Sequence, residues 1–263
     1  SVAAITADVV LASDSTDIKR LTGSVASGTW DFIGYTGTGD TATFTNDSAI
    51  VTSIGAPAWL TQVGVSDQIR NTANGTWYTV LTVDSNTQVT LTANYAGTTN
   101  TGAYLIRQKL QPSFGPPSAV MFKDKLRIGP ASSPQSGTSG LLRYDGTETF
   151  RVASSTVLNR IVVHKNYVFG VNNKNATTPS RVFWCTLLDA DTWPASNFVD
   201  VSPNDGDVVR GMISHNDVLY NFKDTSIHYL QGEVFDPSNP TYANRRIINP
   251  GNIGTMHGNS CKV

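Results

Sequence analysis

Hydrophobic and polar residues alternate in short runs along most of this 263-residue chain, and Gly, Asn, Asp and Pro interrupt the runs. The three- and four-residue apolar spacing that marks a helix is almost absent. In the run Thr76–Val83, Trp77, Leu81 and Val83 fall on one face of an expected strand, and Tyr78 and Val80 on the other. Gln88–Thr92 is a second such run, and the turn-forming Asp84-Ser85-Asn86-Thr87 between them predicts a hairpin. The class predicted is all-β.

A repeat occupies the second half. Three hairpins share one form: an apolar strand, a two-residue polar turn and a second apolar strand. They are Ala119–Phe122 with Lys123-Asp124 and Lys125–Ile128; Ile161–His164 with Lys165-Asn166 and Tyr167–Gly170; and Gly211–His215 with Asn216-Asp217 and Val218–Tyr220. Asn or Asp in the turn tolerates the positive φ that a tight hairpin requires. A third strand ending in an aromatic residue follows each hairpin (Leu141–Tyr144, Arg181–Trp184, Ser226–Tyr229). A fourth run comes after it (Thr149–Val152, Asn197–Val201, Arg245–Ile248). The turns at Asp124, Asn166 and Asp217 are spaced by about 42 and then 51 residues, and four strands at such a period predict propeller blades. A four-stranded sheet has two faces to cover, and neighbours fanned about an axis cover both.

Residues 1–43 read as a partial blade with its second, third and fourth strands at Asp8–Leu11, Asp17–Leu21 and Trp30–Ile33, and with the first strand missing. The stretch Ile253–Val263 reads as a first strand without its hairpin. Either this last strand completes the first blade and closes a small ring, or both ends are cut from a longer chain. Residues 44–108 break the rhythm with Thr-rich hairpins and core candidates Trp59, Trp77, Tyr78, Tyr95 and Tyr104. They predict a small β-barrel or sandwich module inserted between blades, since closing a longer surface loop costs little entropy. The third segment, 109–263, is expected to hold about three blades plus the first strand of another. The expected fold is thus a partial or few-bladed β-propeller carrying an inserted β-module.

Composition narrows the function more than the fold. Charged residues make up only 15% and the net charge is −1, without a basic block, so an electrostatic nucleic-acid site is not indicated. Cys185 and Cys261 are too far apart in sequence for a zinc motif or a disulfide framework, and reduced, buried thiols are expected. No apolar run reaches membrane-spanning length and no signal peptide opens the sequence, so a soluble protein of a reducing compartment is expected.

The stretch Arg181-Val182-Phe183-Trp184, Thr192-Trp193-Pro194, Phe198–Val201, Asp205-Gly206-Asp207, Gly211-Met212-Ile213, Leu219–Lys223 and Ser226–Leu230 resembles the propeller repeat of bacteriophage tail hub or nozzle proteins. Asn249–Gly254 is similar to the entry of their next blade. Ala58-Trp59-Leu60, Gly75–Tyr78, Val83–Thr87 and Tyr95-Ala96-Gly97 resemble a β-module inserted in many phage virion proteins. The resemblance implies a virion structural protein that forms a cyclic, six-fold ring with copies of itself. The ring would extend the DNA ejection channel in the phage tail, after assembly in the host cytoplasm. Implied partners are tail adaptor or portal-side proteins and fibre or needle proteins, with DNA only a transient, non-specific cargo and no membrane contact. Chains of that family are longer than this one, which favours the second account of the ends.

Candidate chemistry is sparse. The only glutamates, Glu148 and Glu233, stand at a turn and a strand end. Asp189, Asp191, Asp200, Asp205 and Asp207 are close in sequence and would serve a glycosidase, yet Asp beside Pro, Asn and Gly is ordinary turn material. Asp200 with Asp205-Gly206-Asp207 invites a calcium reading but lacks the spacing of a calcium loop. His164 and His215 precede two equivalent turns, which points to a repeated structural slot rather than converging ligands, and His228 and His257 have no sequence partner. Gly37-Thr38-Gly39 has no strand-to-helix context for a phosphate loop. The tripeptides at Asn46, Asn74 and Asn175 read as turns rather than glycosylation sites. Trp77-Tyr78 and Trp193 are the places for sugar stacking, although strand aromatics are more often buried. No catalytic, cofactor or metal residue is assigned and no enzymatic activity is expected. The rival readings are a carbohydrate-binding or glycan-cleaving virion propeller and a cellular protein-interaction propeller.

Overall fold

The computed structural model describes residues 2–6, 9–13, 17–22, 29–32, 35–36, 40–55, 57–110, 117–132, 139–146, 149–152, 158–232 and 243–246. These residues form an all-β protein. The first sheet is an antiparallel meander of β1 (Val2–Thr6), β2 (Val9–Ser13), β3 (Ile18–Thr22) and β4 (Thr29–Phe32). Its first strand, expected to be missing, is therefore present: Val2 pairs with Ala12 and Ala3 with Leu11, with a bulge between Ala4 and Thr6. A strand of five residues containing two alanines carries little β-propensity, which is why the pattern does not announce it.

An eight-stranded sheet follows, built from β5 (Tyr35–Thr36), β6 (Thr41–Phe44), β7 (Ile50–Ile54), β8 (Gln68–Asn71), β9 (Tyr78–Ser85), β10 (Gln88–Leu91), β11 (Asn100–Gly102) and β12 (Tyr104–Arg107), with a short helix α1 (Trp59–Gln62). The inserted module thus begins before residue 44, because β5 pairs with β12 and β6 with both β7 and β11. Only Ala103 separates β11 from β12, which pair with β6 and β8 respectively. The order β6-β7-β10-β9-β8-β12 then returns through β11 to β6, and the sheet closes into a small barrel. Its interior is filled by Ala42, Phe44, Val51, Trp59, Ile69, Val80, Val89, Leu91, Tyr95, Tyr104 and Ile106. Closure removes the sheet edges that would otherwise recruit another chain.

The predicted β9–β10 hairpin forms, with Gln88 opposite Ser85, so the turn is only Asn86-Thr87. The expected division of its faces fails at one point. Thr90 pairs with Thr82 and Leu91 with Val80, so Leu81 is an extra residue in a bulge. The bulge resets the alternation: Val80 and Val83 both face the core while Leu81 is exposed.

Three further meanders complete the description. They are β13 (Ser118–Phe122), β14 (Lys125–Ser132), β15 (Ser139–Tyr144) and β16 (Thr149–Val152); β17 (Arg160–His164), β18 (Tyr167–Val171), β19 (Arg181–Trp184) and β20 (Phe198–Asp200); and β21 (Val209–His215), β22 (Val218–Lys223), β23 (Ile227–Gln231) and β24 (Ala243–Arg246). The six residues of their hairpin turns all take positive φ, from 45° at Lys165 to 63° at Asn166. Two successive left-handed residues match the right-handed twist of the flanking strands, which fixes the register of each hairpin.

Successive sheets share cores. Ile18 of the first sheet packs with Leu126, Ile128, Leu142 and Tyr144 on one face of the second four-stranded sheet. The opposite face, carrying Phe122, Leu141 and Val152, meets Ile161, Val168 and Cys185 of the third. The other face of that sheet, with Phe169, Val171, Val182 and Trp184, meets Met212, Leu219 and Leu230 of the fourth. The first strands lie side by side, β13 against β17 and β17 against β21. Each sheet therefore buries both faces between neighbours while its first strand sits toward a common side, which is the arrangement of propeller blades. The expected strand at Ile253–Val263 lies outside the described residues.

Candidate functional site

The aspartates that could serve as catalytic or calcium-binding groups are each held by a partner inside the fold. Asp200, on β20, receives a two-pronged hydrogen bond from Arg181 of β19, at 2.8 Å from Nε and 2.9 Å from Nη2. The planar fork of a guanidinium suits this geometry. Asp207 accepts from the backbone N–H groups of Val208, Asp224 and Thr225 and from the Thr225 hydroxyl. Burial would raise its pKa, but these bonds together hold the carboxyl below its ordinary value.

Asp205 meets an internal cation. Lys223, on β22, is fully buried, and its ammonium donates to Asp205 Oδ1 at 2.6 Å and Oδ2 at 2.7 Å, and to the carbonyls of Val201 at 3.1 Å and Ser202 at 3.2 Å. This cage of oxygens is what a calcium ion would use, and Lys223 Nζ occupies its centre. Among the described residues, no group of three or more His, Cys, Asp or Glu is placed to hold a metal ion.

Asp191 links two sheets. Its carboxylate pairs with Arg127 Nη2 of β14 at 2.9 Å and with Arg143 Nη1 of β15, although it lies in the loop after β19. Arg127 is 4% exposed, and burial lowers its guanidinium pKa against the opposing field of Asp191. Asp189 stands nearby; a hydrogen bond from Thr192 and the Asp191 N–H hold its carboxyl below the ordinary range. Glu148, Glu233, His257, Cys261 and the Gly37–Gly39 segment lie outside the described residues.

His164 and His215 keep equivalent registers, opposite Tyr167 and Val218, but their surroundings differ. His164 is buried with Nδ1 at 2.8 Å from Ser214 Oγ, a bond between the third and fourth four-stranded sheets, whereas His215 is exposed. His228 is buried beside Ser226, with Nε2 at 3.2 Å from the hydroxyl. Ser226 also stands 3.5 Å from Asp207. The set has the composition of a hydrolase triad but the wrong order, because Ser226 and not His228 is the middle member. Cys185 is fully buried, accepts the Val168 N–H, and burial pushes its thiol up to about 11, so it is not a nucleophile at neutral pH.

The sugar-stacking candidates separate. Trp193 is half-buried and donates its indole N–H to Ala190 at 3.0 Å. Tyr78 packs against Tyr95 at 5.3 Å between ring centres and accepts the Ala96 N–H. Trp77, expected in the barrel core, is instead half-buried on the barrel wall, with the guanidinium carbons of Arg107 and Arg70 at 4.2 and 4.7 Å from its ring centre. The tripeptides at Asn74 and Asn175 form turns, each Asn side chain accepting an N–H two residues on.

Sequence reasoning missed Lys223, the Arg127–Asp191–Arg143 bridge and the arginines on Trp77. A signal for the first two exists: each cation stands at an inward position of a strand with both faces covered, where a charge must find an internal partner. Comparison with protein-family models and with curated proteins finds no match to the chain.

Proposed function

We propose that this protein is a structural subunit of a bacteriophage tail, of the hub or nozzle type, built to assemble in a ring around the ejection channel. The sequence resemblance supports the phage assignment. The structural observation that carries a scaffolding role is the use made of polar groups between the sheets. Asp191 with Arg127 and Arg143, His164 with Ser214, and Lys223 with its oxygen cage tie sheet to sheet or loop to sheet. Each is engaged by a partner inside the fold rather than presented in a cleft, as general acid–base chemistry would require.

A blade array with such ties resists shear, and cyclic assemblies need interfaces whose angle does not drift if the ring is to close. Native mass spectrometry of the purified chain and electron microscopy of tails carrying a label on it test the proposal together. A closed cyclic oligomer and label density around the tail axis are expected. A protein that remains monomeric at high concentration, with no label on the tail, would refute it.

A further inference from the structure

We propose that the outer face of the fourth four-stranded sheet is a docking surface for the first sheet of a second copy of this chain. This deepens the ring reading, on which it rests, by naming the contact through which copies join. Tyr220 and Phe222 of β22, with their cross-strand partners Ile213 on β21 and Tyr229 and Ile227 on β23, lie on the face turned away from the third sheet. Leu219 and Leu230, at the alternate positions, face the third sheet. The five outer residues are all partly exposed, and none belongs to a described apolar core.

The third sheet shows what such a face receives. Counted from the hairpin turns, Phe169 and Val171 stand where Tyr220 and Phe222 stand. Their partners Val162, Trp184 and Val182 correspond to Ile213, Tyr229 and Ile227. Phe169, Val171 and Val182 are fully buried and Trp184 nearly so, because Met212, Leu219 and Leu230 of the fourth sheet pack with them. The same registers, filled by the same class of residue, therefore form on the fourth sheet a seat for one more sheet.

The occupant follows by elimination. The seat receives the side of a sheet that faces its predecessor. That side of the second, third and fourth sheets is already filled, by the first, second and third in turn. Among the described residues the first sheet alone has it to offer. There Leu21 of β3 lies on the side opposite Ile18; it stands across from Trp30 and is buried without belonging to a described core. Within one chain the two ends do not meet: β1–β4 make no extended contact with β21–β24, and Tyr220, Phe222 and Tyr229 stay partly exposed. The sheet that fills the seat therefore comes from another copy, in a contact of unlike surfaces that repeats around a ring. Tyrosines suit such a face, because the ring is apolar while the hydroxyl tolerates water when copies are apart.

The test uses the full chain and two variants at the seat, Tyr220→Arg and Tyr229→Arg. Sedimentation velocity should show each dissociating at least about tenfold more readily than the unaltered chain, with an unchanged urea melt. If a variant fails to fold, cross-linking with a short bismaleimide in a Cys261→Ser background decides. Lys19→Cys marks the Leu21 side of the first sheet, and Ile227→Cys marks the seat. Mixed chains should join one of each kind, and neither kind should join to itself. Joining of Ile227→Cys chains to one another, closure of a doubly substituted chain at monomer mass, or no product in the mixture would each overturn the proposal. An oligomer that survives both arginine variants would overturn this contact and leave the ring reading standing, whereas an unaltered chain that stays monomeric at every concentration would remove both.

Discussion

Lys223 allows a sharp test of how the blades are held, because its two sides are unequal. The ammonium is completely buried, whereas the Asp205 side chain is 34% exposed. Replacing Asp205 by Asn keeps the oxygen that accepts the Asp207 N–H at 3.0 Å but removes the counter-charge. The ammonium then retains the carbonyls of Val201 and Ser202 but no anion. Breaking a buried pair from the side that strands the charge costs about 3–5 kcal/mol, and the two carbonyls place this case near about 3. Replacing Lys223 by Met strands only a carboxylate that water already reaches, so about 1 kcal/mol is expected. The double variant should be about as stable as Lys223→Met alone, which makes the second substitution a rescue of the first. Urea unfolding followed by tryptophan fluorescence measures all three. For a chain of this size a loss of about 3 kcal/mol lowers Tm by roughly 6–12 °C. A cost for Asp205→Asn no greater than for Lys223→Met, or additive losses in the double variant, would refute the cage.

Other consequences follow from the same geometry. Asp207→Asn should cost about 2 kcal/mol at pH 7. The folded carboxyl titrates below its unfolded value, so its contribution is whole above the ordinary carboxylate range, begins to fall near about pH 4 and is gone only below the depressed folded value; the gap between the two proteins in urea melts should narrow over that fall and close at its acid end. Cys185, with its thiol raised to about 11, should resist iodoacetamide in the native chain at pH 8 and react in urea, as peptide mapping would show; native labelling would contradict its burial. Asp124→Gly should stabilise by about 0.5–1 kcal/mol, because the residue sits at φ 57° where glycine is unstrained, and Asp124→Val should destabilise by more than that in the same melts.

The repeat was legible because its information is local. Alternation marks a strand, and Lys-Asp, Lys-Asn or Asn-Asp between two apolar runs marks a turn whose backbone has few options. Those signals gave the three hairpins and their third and fourth strands. The remainder depends on contacts far apart in sequence. Closure of the barrel rests on Ala103, a one-residue break that lets one strand serve β8 and then β6, and nothing in a single sequence reports it. The bulge at Leu81 brings Val83 onto the core face beside Val80 against the alternation and leaves Leu81 in solvent. Trp77 resembles a core residue in sequence, and only the cross-strand positions of Arg70 and Arg107 show why it can remain half-exposed. The polar bridges were illegible as bridges for the same reason: Arg143 and Asp191 are 48 residues apart.

The location of these bridges says what they are for. The barrel interior is apolar and closed by its own backbone ladder, and the buried Asp67 carboxylate beside it accepts the backbone N–H groups of Gly64 and Lys109. Between fanned blades no ladder exists, and an apolar slab alone leaves neighbouring sheets several packings of similar energy. Gly170 narrows the choice by shape, since a Cβ there would lie 2.8 Å from Leu158 Cδ2. Asp191 with its two arginines and the His164–Ser214 bond narrow it by direction, because a charged or hydrogen-bonded pair tolerates little sliding. Buried ion pairs add little net stability compared with apolar residues of the same volume, so their presence between the blades is better explained by the angle they set than by the energy they contribute. A charged or hydrogen-bonded tie between neighbouring sheets fixes their relative angle, and a fixed angle is what the ring assembly proposed above would require of each subunit.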